Sequence, residues 1–239
     1  MTTLGITYKS GEGQVFTRHK PSQFVARALI DDIQAVRLPT AYKEQRHLPG
    51  YEWMSRMNAL VAYESRLEMT ILLQLDFNKT VAHVVSQPFV LHYQCGSTIH
   101  RHTPDFFVRY IDDNGEVINV KPRQFVQKPK NVSAFEACRS AAIEMGCAYS
   151  TRSELDATYL SNLNWLSGYR RPPPGLADYG ELIINAVDGP TPLQAVLSGV
   201  KGMPALTRPV LFHLLWTSCL ETELYAPLSS QSLVWISSP

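Results

Sequence analysis

The sequence predicts an α/β (α+β) fold in which a mixed sheet is flanked by helices and followed by a smaller C-terminal domain. Three observations lead to this prediction. Apolar residues recur at helical spacing over residues 54–75. Segments rich in β-branched and aromatic residues, separated by turn signals, then occupy residues 81–121. The proline-rich stretch RRPPPG, at residues 170–175, separates a helix-rich C-terminal part.

Composition excludes several classes of protein. The chain has 239 residues, of which 45% are hydrophobic and 18% charged, so it can bury a core and is not a disordered tail. The formal net charge of +1 means that any binding to DNA depends on local patches or on a partner. The four cysteines form no CxxC pair, so neither a disulfide framework nor a zinc site is expected. We find no signal pattern and no apolar run that could span a membrane.

The first half of the chain is predicted to contain an N-terminal arm and one long helix. Residues 1–50 form the arm, which is turn-rich and contains a short helix near SQFVARALIDDI (22–33). The apolar stripe of residues 54–75 predicts a single helix. Glu64 and Glu68 are four residues apart and would share one face of that helix.

The next segment is predicted to alternate strands and helices. A β-rich stretch over 81–94 breaks at Pro88, and two strands, 104–111 and 116–121, are joined by the turn DDNG. An amphipathic helix over 131–146 stops at Gly146. A short strand near CAYST and a helix through LDATYLSNLNWLSGY follow. We therefore predict one domain over residues 51–169.

Residues 170–175 are predicted to be a linker, and residues 176–239 a second domain. Three helices followed by strands near ELYAP and SLVWIS predict a winged-helix-like layout. A helix that reads the major groove needs Arg, Lys, Asn or Gln on its exposed face. The third helix, LTRPVLFHLLW, is mostly apolar, so its composition favours binding to a protein partner over reading DNA.

Three polar residues form the pattern of a metal-dependent phosphodiesterase site. Asp105 begins one predicted strand, and Asn119 and Lys121, two residues apart near the end of the next, point to the same face. An antiparallel hairpin brings the start of its first strand beside the end of its second. Mg²⁺ prefers oxygen ligands, and a nearby lysine can orient water or stabilise charge. We predict a site with Asp105, Asn119 and Lys121, and Glu64 as the second carboxylate.

This arrangement is the PD-(D/E)xK pattern of restriction-like nucleases, with Asn119 where the second acid usually stands. The sequence also resembles the TnsA family, the endonuclease subunits of heteromeric transposases, which implies a restriction-endonuclease-like core. The segments that carry the resemblance are RHLPGYEW (46–53), YESRLE (63–68), SQPF (86–89), HTPDFFV (102–108) and NVKP (119–122).

The resemblance implies a catalytic set of Glu64, Asp105 and Lys121, and it implies that an amide is tolerated at Asn119. It implies Mg²⁺, with Mn²⁺ as a substitute, bound by Glu64, Asp105 and the backbone carbonyl of Val120. It further implies cleavage of DNA at the 5′ ends of a transposon, alongside a DDE-family transposase and an AAA+ ATPase regulator. Such a protein would act in the bacterial cytoplasm, at the nucleoid.

Several assignments stay open. Glu68 is the rival of Glu64, because a shift of one helical turn would exchange them. Gln87, inside a predicted strand, is either an edge residue bonded to backbone or a DNA contact near the metal. Three basic residues beyond the catalytic strand are either phosphate contacts or a solvated face: Arg123, Lys128 and Lys130.

Two other functions remain open. The first is a nuclease fold that serves assembly or DNA binding, with Asn119 as the mark of lost activity. The second is a stand-alone repair or restriction nuclease, against which the near-neutral charge of the chain counts.

Overall fold

The computed structural model describes residues 2–27, 33–37 and 48–237. The chain divides into two compact units. We call them the N-terminal unit, which comprises Met1–Leu75 and Thr80–Glu154, and the C-terminal unit, which comprises Asp76–Lys79 and Leu155–Pro239. Each unit is described by itself below.

The predicted boundary at residues 170–175 is wrong, because the units divide after Glu154. The helix before the prolines packs inside the C-terminal unit, where the ring of Trp165 lies 4.2 Å from that of Phe212. The carbonyl of Tyr169 is 2.7 Å from Nδ1 of His213. Three prolines end a helix, but these contacts keep the proline segment within one unit.

In the described part of residues 2–152, runs of successive strands are separated by helices. They are β1 (Thr2–Ser10), β2 (Val15–His19), α1 (Pro21–Arg27), β3 (Ile33–Gln34), β4 (Gly50–Met54), β5 (Ala59–Tyr63), α2 (Arg66–Phe77), β6 (Val81–Ser86), β7 (Phe89–Cys95), β8 (Thr98–His102), β9 (Phe106–Tyr110), β10 (Gly115–Val120), α3 (Arg123–Val126), α4 (Pro129–Met145) and β11 (Ala148–Arg152).

Two sheets dominate the N-terminal unit. One has the order β2-β1-β7-β8, with β3 also paired to β1, and all its pairings are antiparallel. The other has the order β11-β10-β9-β6. It is mixed, as predicted, because β10 pairs parallel with β11 and antiparallel with β9. Helix α4 buries Ala137, Cys138 and Ala141 in a core that also contains Phe89 and Phe107, so one helix covers strands of both sheets.

The predicted turn-rich arm over residues 1–50 is wrong for its first half. Strand β1 pairs with β7 from Thr2↔Gln94 to Tyr8↔Phe89, and Ile6 is completely buried. The alternation of buried and exposed residues in β1 is short and interrupted by Gly5, which hides it from the sequence pattern. Helix α1 covers the start of the helix predicted over 22–33, whose residues 28–32 lie outside the described part.

The predicted single helix over residues 54–75 is also wrong before residue 66. Met54 pairs with Ala59 in a β4–β5 hairpin, and Asn58 has φ 49°, a left-handed conformation that asparagine tolerates. Helix α2 begins only after Ser65, whose hydroxyl accepts a hydrogen bond from the Glu68 N–H at 3.2 Å. Ser-x-x-Glu is an N-terminal capping pattern. The apolar stripe alone therefore placed the helix start too early.

The predictions for residues 81–152 are largely confirmed. The break at Pro88 separates β6 from β7, and the predicted turn joins β9 to β10. Helix α4 ends at Gly146, which has φ 73° and whose N–H bonds to the carbonyls of Ala142 and Ile143. Strand β8 covers residues for which no strand was predicted, and it is the element that was missed.

The C-terminal unit contains three helices after the proline segment, and a three-stranded sheet. Its elements are α5 (Ala157–Leu166), α6 (Leu176–Asn185), β12 (Thr191–Pro192), α7 (Leu193–Gly199), α8 (Pro204–Trp216), β13 (Leu220–Thr222) and β14 (Leu233–Ile236). The sheet order is β12-β14-β13. The strand predicted near ELYAP lies earlier, at β13. Within the described ranges, every helix falls short of the length and apolarity that crossing a bilayer requires.

Candidate active site

Asp105 and Lys121 meet at one end of the β9–β10 hairpin. The register pairs Phe106 with Ile118, so the residue before β9 lies beside the end of β10. The Asp105 N–H donates to the carbonyl of Ile118 at 3.0 Å, and Oδ2 of Asp105 accepts from the Val120 N–H at 2.6 Å. The Lys121 N–H donates to the carbonyl of Arg152 at 2.9 Å. Both residues are therefore fixed through their backbones.

The two candidate glutamates lie at the start of α2. Glu64 precedes the helix, and its Oε2 accepts from the guanidinium of Arg37 at 2.9 Å. The carboxylate of Glu68 is used locally, because Oε2 accepts from the Glu64 N–H at 2.7 Å and Oε1 from the Ser65 hydroxyl at 2.8 Å. The capping contacts of α2 therefore place both carboxylates together, although they do not share a helix face as predicted.

The start of α2 and the adjoining end of the β9–β10 hairpin line a cavity of about 890 Å³ that is open to solvent. Three carboxylates line it, and so does Val120. The acidic residues are Glu64, Glu68 and Asp105, and the basic residues are Arg37, Arg66, Arg101, Lys121 and Lys130. Acidic groups bind cations, and the larger number of basic groups around them attracts an anion such as phosphate. The cavity thus has the charges of a site where a metal ion meets a polyanion.

The surroundings of Asp105 and Glu68 disfavour the ionised form of both carboxyl groups. The pKa of Asp105 is raised, first by loss of hydration and then by the negative charge of Glu68, and the Val120 hydrogen bond and Lys121 lower it only in part. The pKa of Glu68 is also raised, chiefly by burial. A bound dication would reverse this, because positive charge favours the ionised form. The donor set therefore fits a hard cation that takes one or two carboxylates and keeps water ligands.

The Asp105→Asn variant is expected to melt at a higher temperature than the unaltered protein when metal is absent. Because the pKa of Asp105 is higher folded than unfolded, the folded protein keeps a proton that the unfolded chain releases, and stability falls as pH rises between the two values. The gain should therefore be larger at about pH 8 than at about pH 5. One kcal/mol corresponds to ~2–4 °C in a protein of this size.

Thermal melts in EDTA at both pH values would measure this gain. Asp113→Asn is the matched control, since the side chain of Asp113 is 87% exposed. An equal gain at both pH values would contradict the assigned burial of Asp105.

Asn119 does not lie where the sequence predicts. Its side chain is completely buried and is absent from the cavity lining. Oδ1 lies 2.7 Å from Nε2 of His102, and Nδ2 donates to the hydroxyl of Tyr149 at 3.0 Å. Asn119 therefore does not converge on the cavity with Asp105 and Lys121 as predicted, because both ends of its neutral amide are bonded to His102 and Tyr149. It touches the cavity only through His102, whose pKa burial lowers.

Gln87 also differs from its prediction. It lies between β6 and β7 and not inside a strand, with φ 48° and only 2% exposure. Its side-chain Oε1 accepts from Nε of Arg37 at 3.0 Å. A residue so buried cannot contact DNA directly, and its side chain instead supports Arg37, a residue that lines the cavity.

Of the three basic residues that were predicted as possible phosphate contacts, one lines the cavity and two do not. Lys130 lines the cavity. Arg123 and Lys128 are exposed but lie outside the cavity lining, and the ammonium of Lys128 sits 4.3 Å from the centre of the Phe125 ring.

Sequence reasoning missed several residues of the cavity. The S-x-x-E pattern at Ser65 and Glu68 was a usable signal, because it fixes the helix start. His102, three residues before Asp105, ends β8, a strand that was not predicted. Arg37 left no local signal, since it is far from the other cavity residues in the chain and reaches them only through the fold.

Comparison with known families gives one match. Residues 78–154 match the model of the N-terminal domain of TnsA-like endonucleases. The matched segment contains Asp105 and Lys121, and Glu64 lies before it. The match confirms the resemblance that the motifs suggested and supports a TnsA-like nuclease subunit. Comparison with curated proteins gives no match.

Proposed function

We propose that this protein is a Mg²⁺-dependent DNA endonuclease that cuts the 5′ ends of a transposon, together with a DDE-family transposase. The observation that carries the proposal is the convergence of Glu64, Asp105 and Lys121 on one cavity, with the two strands that hold Asp105 and Lys121 inside the matched segment. The TnsA-like match supports a transposon-related nuclease, and an AAA+ ATPase regulator completes the proposed assembly.

The metal would be held by Asp105 and Glu64, with the carbonyl of Val120 as a further oxygen ligand. When bound, Mg²⁺ supplies charge neutralisation at the phosphate and lowers the pKa of the attacking water. The Val120 N–H donates to Oδ2 of Asp105 and thereby orients the carboxylate. Lys121 is positioned to hold the attacking water or to stabilise charge that develops on phosphate oxygens.

In this proposal, His102 and Asn119 are not metal ligands, but they support the site. Asn119 fixes the His102 ring through one nitrogen. The amide thus orients a side chain that lines the cavity, which explains how a residue other than aspartate or glutamate serves at this position.

A second candidate is a nuclease fold that is used for assembly or DNA binding and has little or no activity. One observation favours it: within the described residues, no group of three or more His, Cys, Asp and Glu side chains is arranged to hold a metal. Mg²⁺ requires only one or two protein carboxylates, so the enzymatic proposal is preferred. Calorimetry with Mn²⁺, in the presence of DNA and partners, separates the two, because the inactive fold would bind none.

The C-terminal unit is proposed to be a winged-helix-like module that binds a protein partner. Helix α8, at the position of a recognition helix, buries most of its side chains, including Leu211, Phe212 and Trp216. A helix committed to its own core has little surface left to read the major groove. Loss of transposase binding after removal of this unit would be the expected result.

Metal dependence tests the main proposal. Purified protein, transposase, ATPase and end-containing DNA should give cuts at the 5′ ends in Mg²⁺ and none in EDTA, and Mn²⁺ should restore cutting. Products should carry 5′-phosphate and 3′-hydroxyl groups. Equal cutting in EDTA would contradict the proposal, and full cutting by this chain without partners would favour a stand-alone nuclease.

A further inference from the structure

Arg37 is a cavity residue to which the predicted catalytic set gives no role. Its Nε donates to Oε1 of Gln87 at 3.0 Å, and one terminal nitrogen donates to Oε2 of Glu64 at 2.9 Å. Arg37 lines the same cavity as Asp105 and Lys121. The guanidinium is therefore held at two points, by one neutral and one charged acceptor, beside the proposed metal ligands.

Gln87 is built to hold this arginine. Its φ of 48° is a left-handed conformation that is unfavourable for a non-glycine residue. The Gln87 N–H donates to the Asp105 carbonyl at 2.9 Å, and its carbonyl accepts from the Val36 N–H at 2.9 Å. One buried residue thus links the backbone of Asp105, the backbone next to Arg37 and the guanidinium itself. Strain of this kind is characteristic of functional sites.

The guanidinium keeps donors for a ligand. Arginine has five N–H donors in a planar fork, and the contacts with the described residues Gln87 and Glu64 use two of them. The Arg37 side chain is 55% exposed, so the remaining donors can reach a molecule in the cavity. A planar fork matches the oxygens of a phosphate and binds them more specifically than a lysine ammonium does.

We propose that Arg37 binds a non-bridging oxygen of the DNA phosphate that enters this cavity, and that Gln87 is a positioning residue that acts through Arg37. The inference rests on the proposed nuclease function, which it deepens. A phosphate beside Glu64, Glu68 and Asp105 would be repelled unless fixed positive donors face it. Arg37 supplies such donors next to Glu64, while that glutamate keeps Oε1 for other ligands, since only Oε2 meets the guanidinium.

A purely structural ion pair is the alternative, in which Arg37 only neutralises Glu64. The salt dependence of DNA binding separates the two, because each lost phosphate contact lowers the slope of log affinity against log salt by about 0.9. Binding of a duplex that contains the transposon end is measured in Ca²⁺, so that no cutting is needed. Arg37→Ala should weaken binding about 10-fold or more and lower the slope by about one.

Conservative variants test the geometry. Arg37→Lys should keep the slope, because the charge remains, but should reduce the single-turnover cleavage rate about 10-fold, because the fork is lost. Gln87→Met should reduce that rate similarly with the slope unchanged, because Arg37 keeps its charge but loses the acceptor that fixes Nε. Lys201→Ala is the control, since Lys201 is an exposed residue of the C-terminal unit and is absent from the cavity lining.

An unchanged slope in Arg37→Ala, or an equal loss in Lys201→Ala, would overturn the inference. So would a cleavage rate that Arg37→Lys leaves intact. Absence of cutting by the unaltered complex would instead contradict the proposed function, and the slope measurement would still report on the phosphate contact. Melting temperatures of all variants establish that each is folded.

Discussion

The Asp105→Ala variant is expected to lose cleavage at the transposon 5′ ends by about a thousand-fold or more, which corresponds to ~4 kcal/mol of transition-state stabilisation. Asp105 is the proposed metal ligand that the fold holds most tightly, through its own N–H, its carbonyl and its Oδ2. Single-turnover cleavage by the reconstituted complex in Mg²⁺ measures the loss directly.

The alanine also leaves the Val120 N–H without its partner, so part of any loss could come from a disturbed strand end. Asp105→Asn controls for this, because an amide oxygen can still accept from Val120 while it ligates a metal poorly. Both variants should be inactive, and both should fold. Asp113→Asn, at the far end of the same hairpin, should cut at the normal rate. Cleavage that survives in Asp105→Ala would show that the site is misassigned.

The hairpin was the most predictable part of the site. Asp105 follows a proline, a DDNG turn separates two β-rich runs, and Lys121 precedes another proline. These signals are local, and antiparallel pairing has a simple geometry. The glycine that ends α4 also needs only neighbouring residues. Both features could therefore be predicted from the sequence.

The rest depended on long-range packing. Asn119 and Lys121 are two apart in sequence, yet one is completely buried and the other lines a cavity. The difference arises because Asn119 lies within β10, beside Tyr149 of the neighbouring strand, whereas Lys121 lies just past its end. The alternation of side chains along a strand predicts which face of the sheet a residue lies on. It does not predict where the residues that bury that face end. The contact of Arg37 with Glu64 and the pairing of β1 with β7 could not be predicted for a related reason, since each joins residues more than 25 positions apart.

The start of α2 shows how one local error moves a functional residue. Apolar spacing suggested a helix from residue 54, which would put Glu64 and Glu68 on one face. The structure contradicts that interpretation, because Ser65 caps the helix just before its first residue. The Ser65 hydroxyl and the Glu68 side chain and N–H are hydrogen-bonded to each other in this cap. Glu64 is then a residue of the loop before the helix, free of helical geometry and able to reach Arg37. The choice between the two glutamates therefore becomes a question about what each carboxylate already binds.

Glu64→Gln is expected to reduce single-turnover cleavage about 100-fold or more, and Glu68→Gln less than about 10-fold, in line with the loss of a charged metal ligand in only the first case. Glu64 has one oxygen on Arg37, and within the described residues Oε1 has no hydrogen-bond partner. Both oxygens of Glu68 already accept bonds from Glu64 and Ser65.

Both variants should fold, which makes the comparison sharp. Glutamine is an accepted residue at the third helical position of a capping box, so Glu68→Gln keeps acceptors for the cap. A Mg²⁺ titration of the cleavage rate is the discriminating measurement, because loss of a ligand raises the metal concentration required, whereas loss of a capping charge does not. Glu68 nevertheless interacts more strongly with Asp105. The negative charge of Glu68 raises the pKa of Asp105 more than the negative charge of Glu64 does. If Glu68→Gln shifted the Mg²⁺ titration more than Glu64→Gln, Glu68 would be the metal ligand and Glu64 the partner that holds Arg37 in place.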